Sequence, residues 1–224
     1  MTAISTTDAT IEGKKEFQSH VRTLLKAIDV CLKEKLHVPA CMLIYAGIDG
    51  MAWLQLPQQT YNVGMSDFVK WVEKYFVVES PLPKSAQCSG MDLYAARCGL
   101  LHTGTPDSSQ TRSGSGTARK LFYQIGDGQI LIQVRMNEKR QPIIVDVREL
   151  ARSFRIAIQR YQDQIDKDAA LAELVFTRAR DYLCEYHRVE DRPKRAQSRQ
   201  IKRSRTKNRG QIGSPLQGTR KRSA

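Results

Sequence analysis

At 224 residues, 41% of them hydrophobic, the chain can fill one large or two small domains, which excludes a protein too poor in apolar side chains to form a core. Its net charge of +13 is unevenly placed: from Asp191 onward there are 12 Lys+Arg against one acidic residue, leaving 24 basic and 22 acidic residues in the first 190. Residues 1–190 thus form a nearly neutral body, and residues 191–224 a cationic tail almost without large apolar side chains. Such a tail is expected to stay disordered until it meets a polyanion.

The body begins with a polar, Thr/Ser-rich segment. Phe17, Val21, Leu24, Leu25, Ile28 and Leu32 then recur at helical spacing and predict an amphipathic helix over about Lys14 to Glu34. A second helix starts near Pro39, a favourable first-turn residue, and runs to Trp53. It is apolar nearly all round, as expected of a central, buried helix, and Gly47 and Gly50 would let a neighbour approach closely. Asp49 is its one carboxylate. Either it faces a cation, Arg97 being the economical partner, or it caps, bonds backbone or reaches water. After a loop at Pro57 to Gly64, Ser66-Asp67 reads as a cap and acidic first turn for a helix through Phe68, Val69, Val72 and Phe76.

Beyond Pro81 and Pro83, the stretch Met91 to His102 predicts a short, mostly apolar helix ending at Thr103-Gly104. Arg97 lies one turn from both Leu93 and Leu101, so its guanidinium emerges from an apolar stripe. His102 is five residues on, about 140° further round and roughly 7.5 Å along an ideal helix. That divergence predicts that one helix cannot bring both side chains onto one small target, and that two chains related by a two-fold axis would be needed. The carbonyl-rich helix end favours a cation at His102. A fixed positive fork beside an imidazole suits phosphodiester cleavage, the first for charge in the phosphorane and the second for proton transfer.

Residues Thr103 to Ala118 form a loop rich in Ser, Thr and Gly, with no P-loop ending. Leu121 to Ile125 and Ile130 to Val134 flank Gly126-Asp-Gly-Gln, a hairpin signal, and Ile143 to Val147 reads as a third strand; a small three-stranded antiparallel sheet is expected at about 119–147. Two closing helices follow, one marked by Val147, Leu150, Ala151, Phe154, Ile158 and Tyr161, the other by Leu171, Leu174, Val175, Tyr182 and Tyr186. The fold expected is mainly α with a small β part: a helical bundle, a β insertion and a loose basic tail.

Cys31, Cys41, Cys88, Cys98 and Cys184 are scattered singly, without CxxC or a His/Cys cluster, which argues against structural zinc and a disulfide framework and for free thiols in a reducing cytoplasm. No metal or other cofactor is implied. Met1 to Glu16 does not read as a signal peptide, and the longest apolar run, Val38 to Ile48, is too short for a membrane span of about 20 residues.

A helical bundle whose third or fourth helix carries Arg, four residues, His resembles the HEPN superfamily, and Asp92 to His102 fits its R-x(4–6)-H pattern over roughly Lys14 to His102. The resemblance implies a metal-independent, dimeric endoribonuclease of a toxin–antitoxin or phage-defence kind. Arg97 would stabilise the scissile phosphate, His102 would transfer protons, and Asp49 and Tyr94 would support them; an antitoxin or other regulatory protein would be a partner. Here Cys98 follows the arginine, where active members commonly have a polar residue, and Thr103-Gly104 follows the histidine, where nucleotidylated members have a tyrosine two places on. Arg180 and His187 fit the loose pattern too, but helical angles set them opposite the apolar stripe, facing solvent. The tail cations Lys194, Arg195, Arg199, Lys202, Arg203, Arg205, Lys207 and Arg209 would contact nucleic acid. The rival reading is a non-catalytic HEPN-like module that docks on nucleic acid or a partner, with Arg97 merely paired to Asp49.

Overall fold

The first helix, α1 (Thr6–Lys33), starts eight residues before its predicted onset, because the polar leader carries no apolar periodicity to announce it. The computed structural model describes residues 6–76, 88–112, 118–125 and 142–183. Phe17, Val21 and Ile28 line the buried face of α1, and a tight turn with Lys35 at φ 59° returns the chain into α2 (His37–Leu54).

Helix α2 is central as expected, packed against α1 and against four helices that follow it. Ala40, Ile44, Tyr45, Ile48, Met51 and Ala52 are fully buried. A Cβ on Gly47 would lie 2.6 Å from the Phe154 ring, so this glycine does admit a neighbour, whereas Gly50 has open space. Helix α3 (Met65–Trp71) begins one residue before the predicted Ser66 cap. Asp67, predicted for the first turn, reaches back to accept from the Gly64 N–H at 3.0 Å. The helix widens into a π-helical turn, Val72–Phe76, and the rings of Trp71 and Tyr75 pack edge-on against Tyr161.

After α4 (Gly90–Thr103) and the one-turn α5 (Ser109–Arg112), β1 (Leu121–Gln124) pairs with β2 (Ile143–Asp146). The pairing is parallel, from Leu121 with Ile143 to Gln124 with Asp146. This corrects the expected antiparallel, three-stranded sheet: among the described residues there are two strands, and a parallel pair needs a crossover of about a dozen residues, which 125–142 can supply. The predicted strand Ile130 to Val134 and its turn signal lie outside the described residues. Leu121, Ile143 and Val145 face the core, while the Tyr123 hydroxyl meets that of Tyr45 at 2.7 Å, fastening β1 to α2.

Asp146 caps α6 (Val147–Lys167) by accepting from the Arg148 and Glu149 N–H groups, and Asp168 caps α7 (Ala169–Arg178) by accepting from Leu171 N–H. Helix α7 continues as a π-helical turn, Ala179–Leu183. Its buried stripe is Val175, Phe176 and Ala179 rather than one running to Tyr182, which is exposed and stacks edge-on against Trp53 at 5.1 Å. Among the described residues no helix is long and apolar enough to cross a membrane.

Candidate functional site

Helix α4 carries the site because both its ends are fixed. At the start, Ser89 Oγ accepts from the Asp92 N–H at 3.1 Å and Asp92 Oδ2 accepts from the Ser89 N–H at 2.9 Å, a capping box. Asp92, 1% exposed, also accepts from the Arg119 N–H at 2.7 Å and from its guanidinium Nη2 at 2.7 Å, tying α4 to the residue two before β1. Burial alone would raise the Asp92 carboxyl, but these donors from Arg119 and Ser89 hold it below the usual carboxylate range. At the other end Gly104, φ 67°, lets its N–H turn back to Leu100 O at 3.2 Å. Gly99 lies so close to the returning chain that a Cβ there would come within 2.5 Å of Thr105 O.

Leu93, Ala96 and Leu100 face the core, which leaves Tyr94, Arg97, Cys98 and His102 along the partly open side of α4. Asp49 meets them from α2. Its Oδ2 accepts from Arg97 Nε at 2.8 Å and lies 2.8 Å from Nη2, with both side chains about one-fifth exposed. Of the two readings of Asp49, the arginine partner is the one realised. Burial would favour a neutral guanidinium, yet Asp49 holds Arg97 protonated above its ordinary range. The carboxyl of Asp49 is itself raised, because its burial outweighs the pull of Arg97 and His102.

With one edge of the fork on Asp49, Nη1 points the other way. It lies 3.5 Å from Nε2 of the exposed His102 and 3.8 Å from Cys98 Sγ. The Tyr94 ring lies 6.0 Å from the guanidinium carbon and is braced edge-on by Phe68 at 5.5 Å. Burial, then the neighbouring Cys98, raises the Tyr94 hydroxyl. The expectation that Arg97 and His102 diverge is therefore overturned. Their Cα positions do diverge on the helix, but the long arginine side chain spans the gap at an open helix end, and the pair converges within one chain. For Nε2 to accept from Nη1, the ring must be neutral with its proton on Nδ1.

The rival pair does not assemble among the described residues: Arg180 is held by its neighbour Asp181, with Nε to Oδ1 at 2.8 Å, and His187 lies outside them. So do Lys194, Arg195, Arg199, Lys202, Arg203, Arg205, Lys207 and Arg209. Among the described residues no three His, Cys, Asp or Glu side chains gather as metal ligands, and Cys31, Cys41, Cys88 and Cys98 form no disulfide with one another.

Sequence reasoning missed two ionic anchors. The Asp92 box was legible as Ser-x-x-Asp before an apolar run. Arg178, 1% exposed, lies on the apolar stripe of α7, three residues after Val175. Its guanidinium donates to the carbonyls of Trp53 at 2.8 Å, Thr60 at 2.9 Å and Pro57, and sits 4.4 Å over the Trp53 ring. Compared with protein-family models, curated proteins and solved structures, the chain matches none.

Proposed function

We propose that the chain is a metal-independent endoribonuclease of HEPN type, with Arg97 and His102 as its catalytic residues and Asp49 and Tyr94 as positioning residues. The observation that carries this reading is the 3.5 Å approach of Arg97 Nη1 to Nε2 of an exposed imidazole, with Asp49 fixing the far edge of the fork. In the proposed reaction the entering phosphate draws Nη1 away from Nε2, and the freed Nε2 takes the proton of an RNA 2′-hydroxyl, whose oxygen attacks the adjacent phosphorus. Nη1 faces the charge gathering on the phosphorane oxygens, and the P–O5′ bond breaks to leave a 2′,3′-cyclic phosphate. The departing O5′ needs a proton that the same imidazole cannot supply while it is acting as base. Water can give it, or His102 of a second copy across a two-fold axis, as the dimeric resemblance implies. A toxin-like or defence role, with a partner protein covering this exposed edge, follows from the same resemblance.

A second reading has its own support: Asp49 engages two of the three guanidinium nitrogens and neutralises the charge. Arg97 is then an ion pair of a non-catalytic module whose tail contacts nucleic acid. RNA incubated with the protein in excess EDTA separates the two. Catalysis predicts cyclic phosphate ends, falling at least about 100-fold in both Arg97→Ala and His102→Ala, as expected when one oxyanion donor or one proton-transfer group is lost. An uncleaved, salt-sensitive complex that neither substitution alters overturns the nuclease reading.

A further inference from the structure

Far along the chain from the Arg97 cluster, α1 and α6 each present an exposed stripe at the spacing that keeps residues on one helical face. On α1 it is Arg22, Lys26, Asp29 and Lys33; on α6 it is Arg148, Arg152, Arg155 and Gln159. The two stripes join where Arg155 donates to Asp29. The helices run antiparallel, because Lys14 meets Asp166 at 3.4 Å and the Phe17 ring meets that of Tyr161 at 6.2 Å, while Asp29 meets Arg155. That register brings the Lys33 end of α1 beside the Arg148 end of α6.

Six cations thus share a face about 16 Å long by helix rise, with two carboxylates on it. Those two are already engaged, Asp29 by Arg155 and Glu149 by Arg152 at 3.5 Å. Arg22, Lys26 and Arg148 have no ion-pair partner among the described residues. Arg148 stands in the first turn of α6, where the helix dipole disfavours a cation, so local helix stability does not explain it. The exposed cations of α6 concentrate at its start, with Arg148 and Arg152 exposed in the first half, whereas the second half exposes Asp163 and Asp166 beside Lys167.

We infer that this α1–α6 face binds the phosphate backbone of RNA. Four of its six cations are arginines, whose planar forks match phosphate oxygens in pairs, and a length of about 16 Å spans two to three successive phosphates of a single strand. The surface lies on the helical body and includes none of the tail cations. It goes beyond the Arg97 reading and stands if that reading fails, because backbone binding requires no cleavage.

The test uses the full chain and a 20-nucleotide, fully 2′-O-methylated RNA, which keeps its phosphates and lacks the attacking hydroxyl. Affinity is read by fluorescence anisotropy across a salt series. Each phosphate contact on a single strand contributes about 0.7 to the salt slope, so Arg148→Gln with Arg152→Gln is expected to lower the slope by roughly 1.4 and weaken binding several-fold at low salt. Arg22→Gln with Lys26→Gln, on the other helix, should do the same, while Lys15→Gln with Lys70→Gln should leave the slope unchanged. Equal melting temperatures for all variants confirm that folding is intact. Unchanged slopes in both stripe variants overturn the inference. So does loss of binding to vesicles containing anionic lipid with RNA binding intact, which would assign the face to a membrane surface.

Discussion

Asp49 and Asp92 are both half-buried or buried carboxylates paired to an arginine, yet burial and donors resolve them in opposite directions. Asp49 receives Arg97 on a single oxygen, and desolvation prevails, so its folded pKa is raised. Its contribution to stability is greatest below the ordinary carboxyl value and is lost as pH rises through the raised folded value. Asp92 accepts from Arg119 and Ser89 on both oxygens, and its pKa is lowered; its contribution is present above the ordinary carboxyl value and lost as pH falls through the depressed one. Stability measured against pH by denaturant titration should therefore separate the variants. Asp92→Asn should lose about 3 kcal/mol at pH 7 and progressively less as pH falls through the depressed folded value, since the buried amide then meets the Ser89 and Arg119 donors in place of a carboxylate oxygen. Asp49→Asn should cost under about 1 kcal/mol at pH 7, where the ionised carboxyl is already disfavoured. An equal loss in both variants at neutral pH would refute the contrast.

At the scale of elements, the two ends of α4 decide how well its open side is held. Gly99→Ala places a methyl against Thr105 O, so the returning turn must move; about 1–3 kcal/mol of stability should be lost, as for other forced overpacking. Under the proposed nuclease function, cleavage should fall by a larger factor than the lost stability explains, because His102 sits three residues on, measured at a temperature where the variant remains folded. The opposite change is available in the turn between α1 and α2. Lys35 occupies the left-handed region, which an L side chain enters at a cost, and Lys35→Gly should raise stability by about 0.5–1 kcal/mol in thermal unfolding.

Over the whole molecule, Arg178 ties the last described helix to the loop that follows the central one. With no carboxylate partner among the described residues, burial favours its neutral form and lowers its pKa, and three carbonyls together with the Trp53 ring take the place of an acid. Arg178→Met keeps the volume but strands those carbonyls. It should cost about 3 kcal/mol and raise amide exchange across residues 55–64 before it affects α4. Uniform exchange throughout the molecule would show that Arg178 supports global packing rather than this loop.

Apolar patterning by itself determined the helices, because burying apolar side chains is a local demand: α1, α3 and α6 stand where the stripes through Phe17, Phe68 and Phe154 required them, and α2 and α4 where runs apolar on most sides did. The mainly helical class followed from the same rule, whereas for Asp49 that rule left Arg97 beside a cap, a backbone bond or water, and the tertiary structure chose Arg97. Only the tertiary structure decided what depends on segments distant in sequence. Strand direction was one such matter, because hydrophobic alternation carries no sign for parallel or antiparallel pairing. The burial of Arg178 was another, because its partners are backbone carbonyls that any residue supplies. The convergence of Arg97 with His102 was a third, because ideal helix angles place Cα atoms, whereas a flexible side chain at a solvent-facing helix end is placed by its neighbours.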